Sequence, residues 1–268
     1  MIPPLSAEPI FKIGEFTVTN ALINGWIALV FFVLIGVISR RRKTEIPRCI
    51  YNLIEAAVEF CLNEIKKVTS DEARARRFFP LVASIFFFVL FSNWFGLLPG
   101  TGSIGIYQIV HGSKELVPIL RPAASDLNLT LAIAVFSIFT THIVGLASLG
   151  AVSHISKFLN IRGIVHSLKK GPMQILISVI EFAVGLLEIV SEFAKTLSLS
   201  LRLFGNIFAG EVLITVISGM FAFILPVPFM FLELLVGIVQ ATVFAMLVLA
   251  FLTVATSHHG EAEEAEAH

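Results

Sequence analysis

The sequence predicts an all-α, polytopic membrane protein with about five to six membrane helices, two of them long and strongly tilted, and one interfacial amphipathic helix. Of its 268 residues, 56% are hydrophobic and 14% are charged, and the mean hydropathy is +0.90. A soluble domain carries about 25% charged residues, so this chain has too few charges to cover a water-facing surface of its size. Five long apolar blocks and an uneven distribution of basic residues complete the prediction.

Each of the five blocks is long enough to cross a bilayer core, which needs about 20 residues. The blocks span residues 18–38, 78–98, 127–152, 172–225 and 229–256. The fourth is anomalous, because its 54 residues would form a straight helix of about 81 Å at a rise of 1.5 Å per residue. We expect this block to be broken near Ser198–Ser200 or Gly205, strongly tilted, or both.

The other segments attach to a single membrane domain over residues 1–268. Residues 45–77 repeat apolar side chains at helical spacing, which predicts an amphipathic helix at the membrane interface or against a partner protein. Residues 1–17 form an outer N-terminal segment. The acidic tail 257–268 is typical of a solvated, disordered end, and its three histidines are a weak metal-binding pattern.

Basic residues set the orientation. Residues 40–77 hold ten lysines and arginines, the loop 99–125 holds two, and the loop 153–170 holds four. Because cytoplasmic loops carry the excess of basic residues, we expect the N-terminus outside and the C-terminus in the cytoplasm. The N-terminal residues resemble neither a signal nor a transit peptide, which favours a bacterial plasma membrane, although a chain encoded in an organelle would also lack a transit peptide. Cys49 and Cys61 then lie on the reducing side, as packing cysteines.

One arginine lies deep in the fourth block, in the run SLSLRLFGNIFAGEVL. A guanidinium at bilayer depth costs about 2.5–3.5 kcal/mol, so Arg202 is a functional-site hypothesis. The alternative is an arginine that reaches the headgroups or pairs with a structural carboxylate. Small residues beside it, at Gly205, Ala209 and Gly210, allow another helix to approach closely, within this chain or from a partner.

Polar side chains share one side of the fourth block with Arg202. At about 100° per residue, that side carries Glu181, Glu188, Glu192, Lys195, Ser198 and Asn206. Glu211 points about 180° away from Arg202. In the fifth block one face carries Glu233, Gly237, Gln240 and Phe244.

Carboxylates outnumber cations in these two blocks. Five glutamates face only two cations, Lys195 and Arg202, so simple pairing leaves carboxylates without a partner. Buried carboxylates without a partner either meet water or hold a proton. This surplus predicts a proton path through residues 172–256.

The run SLRLFGNIFAGE, followed by VPFMFLELLVGIVQATVFAMLVLAFL, closely resembles the signature of subunit a of F-type ATP synthases. The resemblance extends over the whole chain, through LFSNWFGLLPG and SDLNLTLA. It implies that Arg202 is the essential arginine of the family. It implies further site residues at Asn206, Glu188, Glu211 and Gln240.

Two further positions follow from the resemblance. Glu233 lies seven residues before Gln240, where some members of the family carry a histidine. Glu211 and Glu233 are therefore both carboxyls, and either one, or the two together, can take the proton. Asp126, with Ser125 and Asn128, matches the polar opening of the third helix. Lys195 and Ser198 are weaker candidates, on the same stripe as Arg202.

The function implied by the resemblance is that of a proton-translocating stator subunit in a rotary motor. Protons enter from the outside by way of Glu211 and Glu233, near Glu188, and neutralise carboxylates on a rotating ring. Two offset aqueous half-channels serve the ring, and the fixed charge of Arg202 separates them. The implied partners are the c-subunit ring, the subunit b peripheral stalk, the remainder of the ATP synthase and the bilayer.

Several classes of function receive no support from the sequence. No nucleotide-binding loop, metal motif or nucleophile triad is present, so we expect no cofactor, no metal, no nucleic acid and no catalysis by this chain alone. We interpret His142, His154 and His166 as structural or interfacial. An unrelated ion channel or secondary transporter that uses Arg202 as a substrate-binding charge stays open, as do a purely structural subunit and a choice between proton and sodium.

Overall fold

Long helices make up most of the described part of the protein. The computed structural model describes residues 3–41, 50–98, 101, 104–110, 113–150, 172–221 and 224–256. The helices within these ranges are α1 (Asn20–Arg41), α2 (Ile50–Thr69), α3 (Glu72–Gly96), α4 (Leu127–Leu149), α5 (Pro172–Met220) and α6 (Pro226–Thr256). The predicted all-α polytopic fold is therefore confirmed.

Two antiparallel hairpins lie in segments where no strands were expected. Strand β1 (Pro9–Ile13) pairs with β2 (Phe16–Thr19), and β3 (Gly105–Val110) pairs with β4 (Ser113–Pro118). The side-chain amide of Asn20, at the start of α1, donates hydrogen bonds to the Glu8 carboxylate at 3.2 Å and to the Pro118 carbonyl at 3.3 Å. This amide therefore connects both hairpins to the first membrane helix.

Every described helix except α2 is long and apolar enough to cross a membrane. The spans are Asn20–Ile38, Glu72–Gly96, Leu127–Ser148, Ile180–Met220 and Pro226–Thr256. They confirm the five predicted blocks. Exposed apolar side chains line the outside of these helices, such as Leu34 of α1 at 53% and Phe139 of α4 at 64% exposure. Lipid is the solvent that suits such surfaces.

The junction between α2 and α3 corrects one prediction. Helix α2 ends at Thr69, and Ser70 adopts a positive φ of 52°. Asp71 then caps α3, because its carboxylate accepts a hydrogen bond from the main-chain N–H of Ala73 at 2.9 Å. The prediction of one amphipathic segment up to residue 77 is wrong at this end, since residues 72–77 open the membrane helix α3.

Helix α5 is continuous through the positions where a break was expected. Ser198–Ser200 and Gly205 are helical, and the helix runs for 49 residues from Pro172 to Met220. Such a helix is about 74 Å long at 1.5 Å per residue. The predicted break in this helix is therefore absent. Strong tilt, the other alternative, is the remaining way to fit a helix of this length into a bilayer.

Contacts divide the chain into two compact units, which we describe separately. The first comprises Met1–Ala132 and Ser200–Leu247, and the second comprises Ile133–Leu199 and Val248–His268. In the first unit α1 packs on α3 through aromatic rings, with Phe31 5.3 Å from Phe91 and 5.2 Å from Phe95 between ring centroids. Most of the predicted site residues belong to this unit.

A tight turn before α4 fixes the main chain around Arg121. A side chain at Gly96, at the end of α3, would overlap the main chain of Pro122, so only glycine allows this close approach. From α1, the buried amide of Asn24 donates hydrogen bonds to the Arg121 carbonyl at 2.7 Å and to the Ser92 carbonyl at 2.8 Å. Helices α1 and α3 therefore position residue 121 from two sides.

The reactivity of Cys61 provides a test of how α2 packs within the first unit. The free thiol is buried on α2, and this burial, together with the Glu64 carboxylate, raises its pKa. Because the thiolate is the reactive form, we expect maleimide at neutral pH to label Cys61 at least about tenfold more slowly than an exposed cysteine on the same helix. Leu53→Cys, at a position 70% exposed, is the control in a Cys49→Ser background. Equal labelling rates would contradict this packing.

Candidate functional site

Arg202 lies on an exposed stripe of α5. The stripe consists of Leu201, Arg202, Gly205, Asn206, Ala209, Leu213 and Val216, which are all exposed. The opposite side of the helix is buried and carries Leu203, Ile207 and Gly210. Among the described residues, none forms a hydrogen bond or an ion pair with the Arg202 guanidinium. An apolar stripe with one cation thus faces away from the first unit.

The amide of Asn206 connects this stripe to α6. Its Nδ2 donates a hydrogen bond to Oε1 of Gln240 at 2.8 Å. Gln240 is 4% exposed, and the predicted face of α6 is buried with it: Glu233, Gly237, Gln240 and Phe244. The structure therefore brings together two of the predicted site residues, Asn206 and Gln240. Asn206 also belongs to the exposed stripe that carries Arg202.

Glu211 points away from the stripe, as the helical wheel predicted, and it pairs with Arg121. The Nε of Arg121 lies 2.8 Å from Oε1 and 3.0 Å from Oε2 of Glu211. Arg121 was counted in the sequence only as one of two basic residues in the outer loop. The assumption that Lys195 and Arg202 are the only cations available to these carboxylates is therefore wrong for Glu211.

The Arg121 side chain is 2% exposed and is held by main-chain oxygens of the N-terminal segment. Its Nη1 donates a hydrogen bond to the Ser6 carbonyl at 3.2 Å, and its Nη2 donates to the Pro4 carbonyl at 2.9 Å. The guanidinium carbon also lies 5.9 Å from the ring centroid of Phe208, one helical turn before Glu211. All three guanidinium nitrogens therefore have partners within the protein.

Glu233 occupies a different environment beside Glu211. The residue is 6% exposed, and its Oε1 has no hydrogen-bond partner among the described residues. Its carboxyl group lies against Gly210, where a Cβ would overlap it, so α6 approaches α5 closely at this point. The two carboxyls are near enough to interact electrostatically. Of the two, Glu211 is the one that contacts a cation among the described residues.

Buried amides extend this polar region toward α1 and α3. Asn93 is fully buried, and neither its Nδ2 nor its Oδ1 has a partner among the described residues; the same holds for Oδ1 of Asn24. Buried polar atoms are nearly always hydrogen-bonded, to protein or to water. Next to Asn93, the indole of Trp94 donates to the Leu234 carbonyl at 3.3 Å, which joins α3 to α6 beside Glu233.

Asp126 caps a helix. Its carboxylate accepts a hydrogen bond from the main-chain N–H of Asn128 at 2.9 Å, and its carbonyl accepts from the N–H of Thr130 at 3.2 Å. Asp126 is 8% exposed, and Ser125 beside it is fully buried, with its hydroxyl donating to the Pro122 carbonyl at 2.8 Å. The polar residues at the start of α4 therefore have a structural role in capping the helix, which their residue types alone explain.

Within the second unit, Lys195 pairs with Glu192. The ammonium lies 2.7 Å from Oε1 of Glu192, and the Nε2 of His142 on α4 lies 3.6 Å from Oε2 of the same carboxylate. Lys195 also lies 5.4 Å from the ring centroid of Phe251 on α6. His142, which we interpreted as structural or interfacial, therefore belongs to a three-membered ionisable cluster.

The other candidates of the second unit have fewer contacts. Glu188 is half-buried and Ser198 is exposed, and neither side chain forms a hydrogen bond or an ion pair with another described residue. His154, His166, Cys49 and the tail 257–268 lie outside the described residues. Within the described ranges, no group of three His, Cys, Asp or Glu side chains is arranged to hold a metal ion.

The fold and this site define a multi-pass membrane protein that buries ionisable side chains between its helices. The sequence profile of the family described as "ATP synthase A chain" matches residues 22–253. The chain therefore belongs to the ATP synthase A chain family.

Relatives named ATP synthase subunit a extend over nearly the whole chain. The protein of Moorella thermoacetica is 30% identical over 243 residues, which cover 91% of this chain and 93% of that protein. The protein of Citrifermentans bemidjiense is 28% identical and covers 89% of this chain and 88% of its own length. The protein of Anaeromyxobacter sp. is 31% identical over 97% of this chain, which corresponds to 59% of that longer protein.

The family confirms the resemblance seen in the sequence. The chain is a non-catalytic membrane subunit of the ATP synthase complex with a role in proton transport, and its relatives are bacterial. Membership of this family replaces the alternative prediction, in which the chain is an unrelated ion channel or secondary transporter.

Proposed function

We propose that this subunit carries two offset aqueous half-channels and passes protons between them by way of a ring of c subunits. The exposed Arg202 stripe of α5 supports this proposal best. A cation on the buried side of α5 would need a partner within the chain. Arg202 instead lies on the exposed side, beside two small residues, Gly205 and Ala209. Small residues allow close approach of another helix, and the ring helix that carries a membrane carboxylate is the partner that such a cation suits.

The outer half-channel uses the acids behind the stripe. A proton from water outside reaches the pair formed by Glu233 and Glu211, of which at least one acid carries it. It then neutralises a carboxylate of the ring, which can turn into lipid without carrying a buried charge. Asn24 and Asn93, with their free amide atoms, are suited to hold water along this route. Asn206 and Gln240 orient the guanidinium or a water beside it.

The inner half-channel uses the groups that precede Arg202 in the chain. The resemblance implied a place for Glu188 near the outer entry, and we assign it to the inner side instead. Glu188, Lys195 and Ser198 come before Arg202 on α5, whereas Glu211 follows it. Glu192 and His142 join Lys195 in one ionisable cluster, which supports a water-accessible route on that side. The basic loops give the direction: N-terminus outside, C-terminus in the cytoplasm of a bacterium.

Arg202 supplies the asymmetry of the motor. A fixed cation stabilises the charged form of a carboxylate that comes within about 4–6 Å, so the ring acid gives up its proton as it arrives. The same charge repels protons and prevents a direct leak between the half-channels. The c-ring and the subunit b stalk are the partners that this role requires.

Disulfide cross-linking of the stripe tests the proposal. In a Cys49→Ser, Cys61→Ser background, Ala209→Cys and Leu213→Cys place thiols on the exposed stripe, and Leu203→Cys and Ile207→Cys place them on the buried side. In the intact complex, with one cysteine on the carboxylate-bearing helix of the c subunit, we expect bonds from positions 209 and 213 only. Cross-links from 203 and 207 instead, in a correctly assembled complex, would overturn the proposal.

A further inference from the structure

Two carboxyls and one cation meet behind the Arg202 stripe, and the cation touches only one of the acids. Nε of Arg121 lies 2.8 Å and 3.0 Å from the two oxygens of Glu211. Glu233 is buried against Gly210, close enough to Glu211 for the two charges to interact. The sequence leaves open which acid carries the proton, whereas this arrangement treats the two acids differently.

We propose that Arg121 is a positioning residue that gives Glu211 and Glu233 different roles. It holds Glu211 as a fixed carboxylate, and Glu233 is the group that takes up and passes on the proton. The proposal rests on the proposed function, since it concerns the outer half-channel. The proton transfer is balanced in atoms and in charge. Glu233 accepts H⁺ from a hydrated proton and releases water, and it then gives the same H⁺ to a carboxylate of the ring.

The surroundings of Arg121 make it a permanent charge. A guanidinium does not lose its proton in proteins. Its other two nitrogens donate to the carbonyls of Pro4 and Ser6, which cannot titrate. With 2% of the side chain exposed, water does not screen the pair with Glu211. Removing the charge of Glu211 by protonation would therefore leave a buried cation without its counter-ion, which is strongly unfavourable.

Glu233 is the acid without such a restraint. No cation contacts it among the described residues, and its Oε1 lacks a hydrogen-bond partner there. Two neighbouring carboxylates cannot both be charged without a cost from repulsion, and the cation favours the charged state of the acid it touches. Glu233 is thus the member of the pair that alternates between the charged and the neutral form.

A further charged group near this pair comes from the N-terminal segment. The Glu8 carboxylate interacts electrostatically with Glu211 and accepts a hydrogen bond from the Asn20 amide at 3.2 Å. From the turn before α4, the Ser125 hydroxyl also lies close to Glu211. Glu8 and Glu233 both interact electrostatically with Glu211, and Arg121 is in direct contact with Glu211. This contact decides where the charge stays.

The test compares two ways of removing a carboxyl, in inverted vesicles that contain the whole complex. Glu233→Gln removes the exchanging acid, and we expect ATP-driven proton pumping to fall by about 100-fold or more, the usual scale for loss of a proton-transfer group. Arg121→Gln combined with Glu211→Gln removes the ion pair as a neutral unit. Because Glu233 stays, we expect this double variant to pump at least about tenfold faster than Glu233→Gln.

A pH profile separates positioning from a merely structural role. In vesicles stripped of the soluble sector, proton conductance is measured against the pH of the outer side, for wild type, Arg121→Gln and Arg121→Lys. Without the cation, the carboxyl cluster binds protons more tightly, so the alkaline limb of the Arg121→Gln profile moves to higher pH. Arg121→Lys keeps the charge and is expected to restore the limb toward its wild-type position. Immunoblots report the assembly of each variant.

The possible outcomes distinguish this proposal from the function on which it rests. Pumping by Glu233→Gln at the wild-type rate, or a double variant as inactive as Glu233→Gln although assembled, would assign the proton to Glu211 and overturn the proposal. An Arg121→Gln profile that coincides with wild type would also overturn it. If the stripe cross-links to the c subunit in the same preparations, these failures leave the proposed function intact.

Discussion

Arg202→Ala is expected to abolish ATP-driven proton pumping by inverted vesicles, while the complex still assembles. The side chain is exposed on α5 and has no partner among the described residues, so its removal leaves no buried group unpaired within the chain. Its proposed task lies wholly toward the ring, where a fixed positive charge releases the proton and blocks a leak. The measurement is the quenching of a pH-sensitive dye on addition of ATP.

A neighbour on the same stripe provides the control. Leu213→Ala changes an exposed apolar residue, 43% exposed, on the same helix and the same side, and pumping should continue. Pumping by the assembled Arg202→Ala complex at a rate near that of Leu213→Ala would refute the role given to Arg202. Loss of pumping in both variants would indicate that the whole stripe acts by packing.

Gly210→Ala is expected to reduce pumping by about tenfold or more, with a small effect on assembly. A Cβ at residue 210 would overlap the carboxyl group of Glu233. Because that group ends a flexible side chain, the protein can accommodate the methyl by moving it, and overpacking of this kind costs about 1–3 kcal/mol. The carboxyl is displaced from the position that proton transfer needs. The initial rate of pumping, normalised to assembled complex, measures the effect.

Gly219→Ala is the matched control on the same helix. A Cβ at residue 219 meets no atom within 4 Å among the described neighbours, so this variant should behave as wild type. If Gly210→Ala pumps as well as Gly219→Ala, the close contact between Gly210 and Glu233 has no bearing on proton transfer.

The helices of the fold could be predicted from the sequence because their causes are local. A block of about 20 apolar residues crosses a bilayer whatever lies around it, and five such blocks are confirmed as helices. The wheel also separated Arg202 from Glu211 correctly, since both belong to one continuous helix. Local signals failed at junctions: the turn at Ser70 and the cap at Asp71 cut the predicted amphipathic segment short.

The partners of the site residues depend on long-range packing and could not be predicted in the same way. Arg121 and Glu211 are 90 residues apart, and His142 and Glu192 lie on different helices. A periodic pattern places a side chain on a face but does not show which loop or helix covers that face. One signal was present in the sequence: Arg121 is a rare cation in a loop otherwise poor in basic residues.

The contacts of Pro4 and Ser6 have a practical consequence for work with this protein. Their carbonyl oxygens accept two of the hydrogen bonds of the Arg121 guanidinium, so the first residues of the chain stabilise an ion pair located far along the sequence. Truncating or tagging the N-terminus, a routine step in purification, would disturb the electrostatics of an acid more than 200 positions away. The N-terminal segment is best left in its native form whenever rates of proton flow are to be compared.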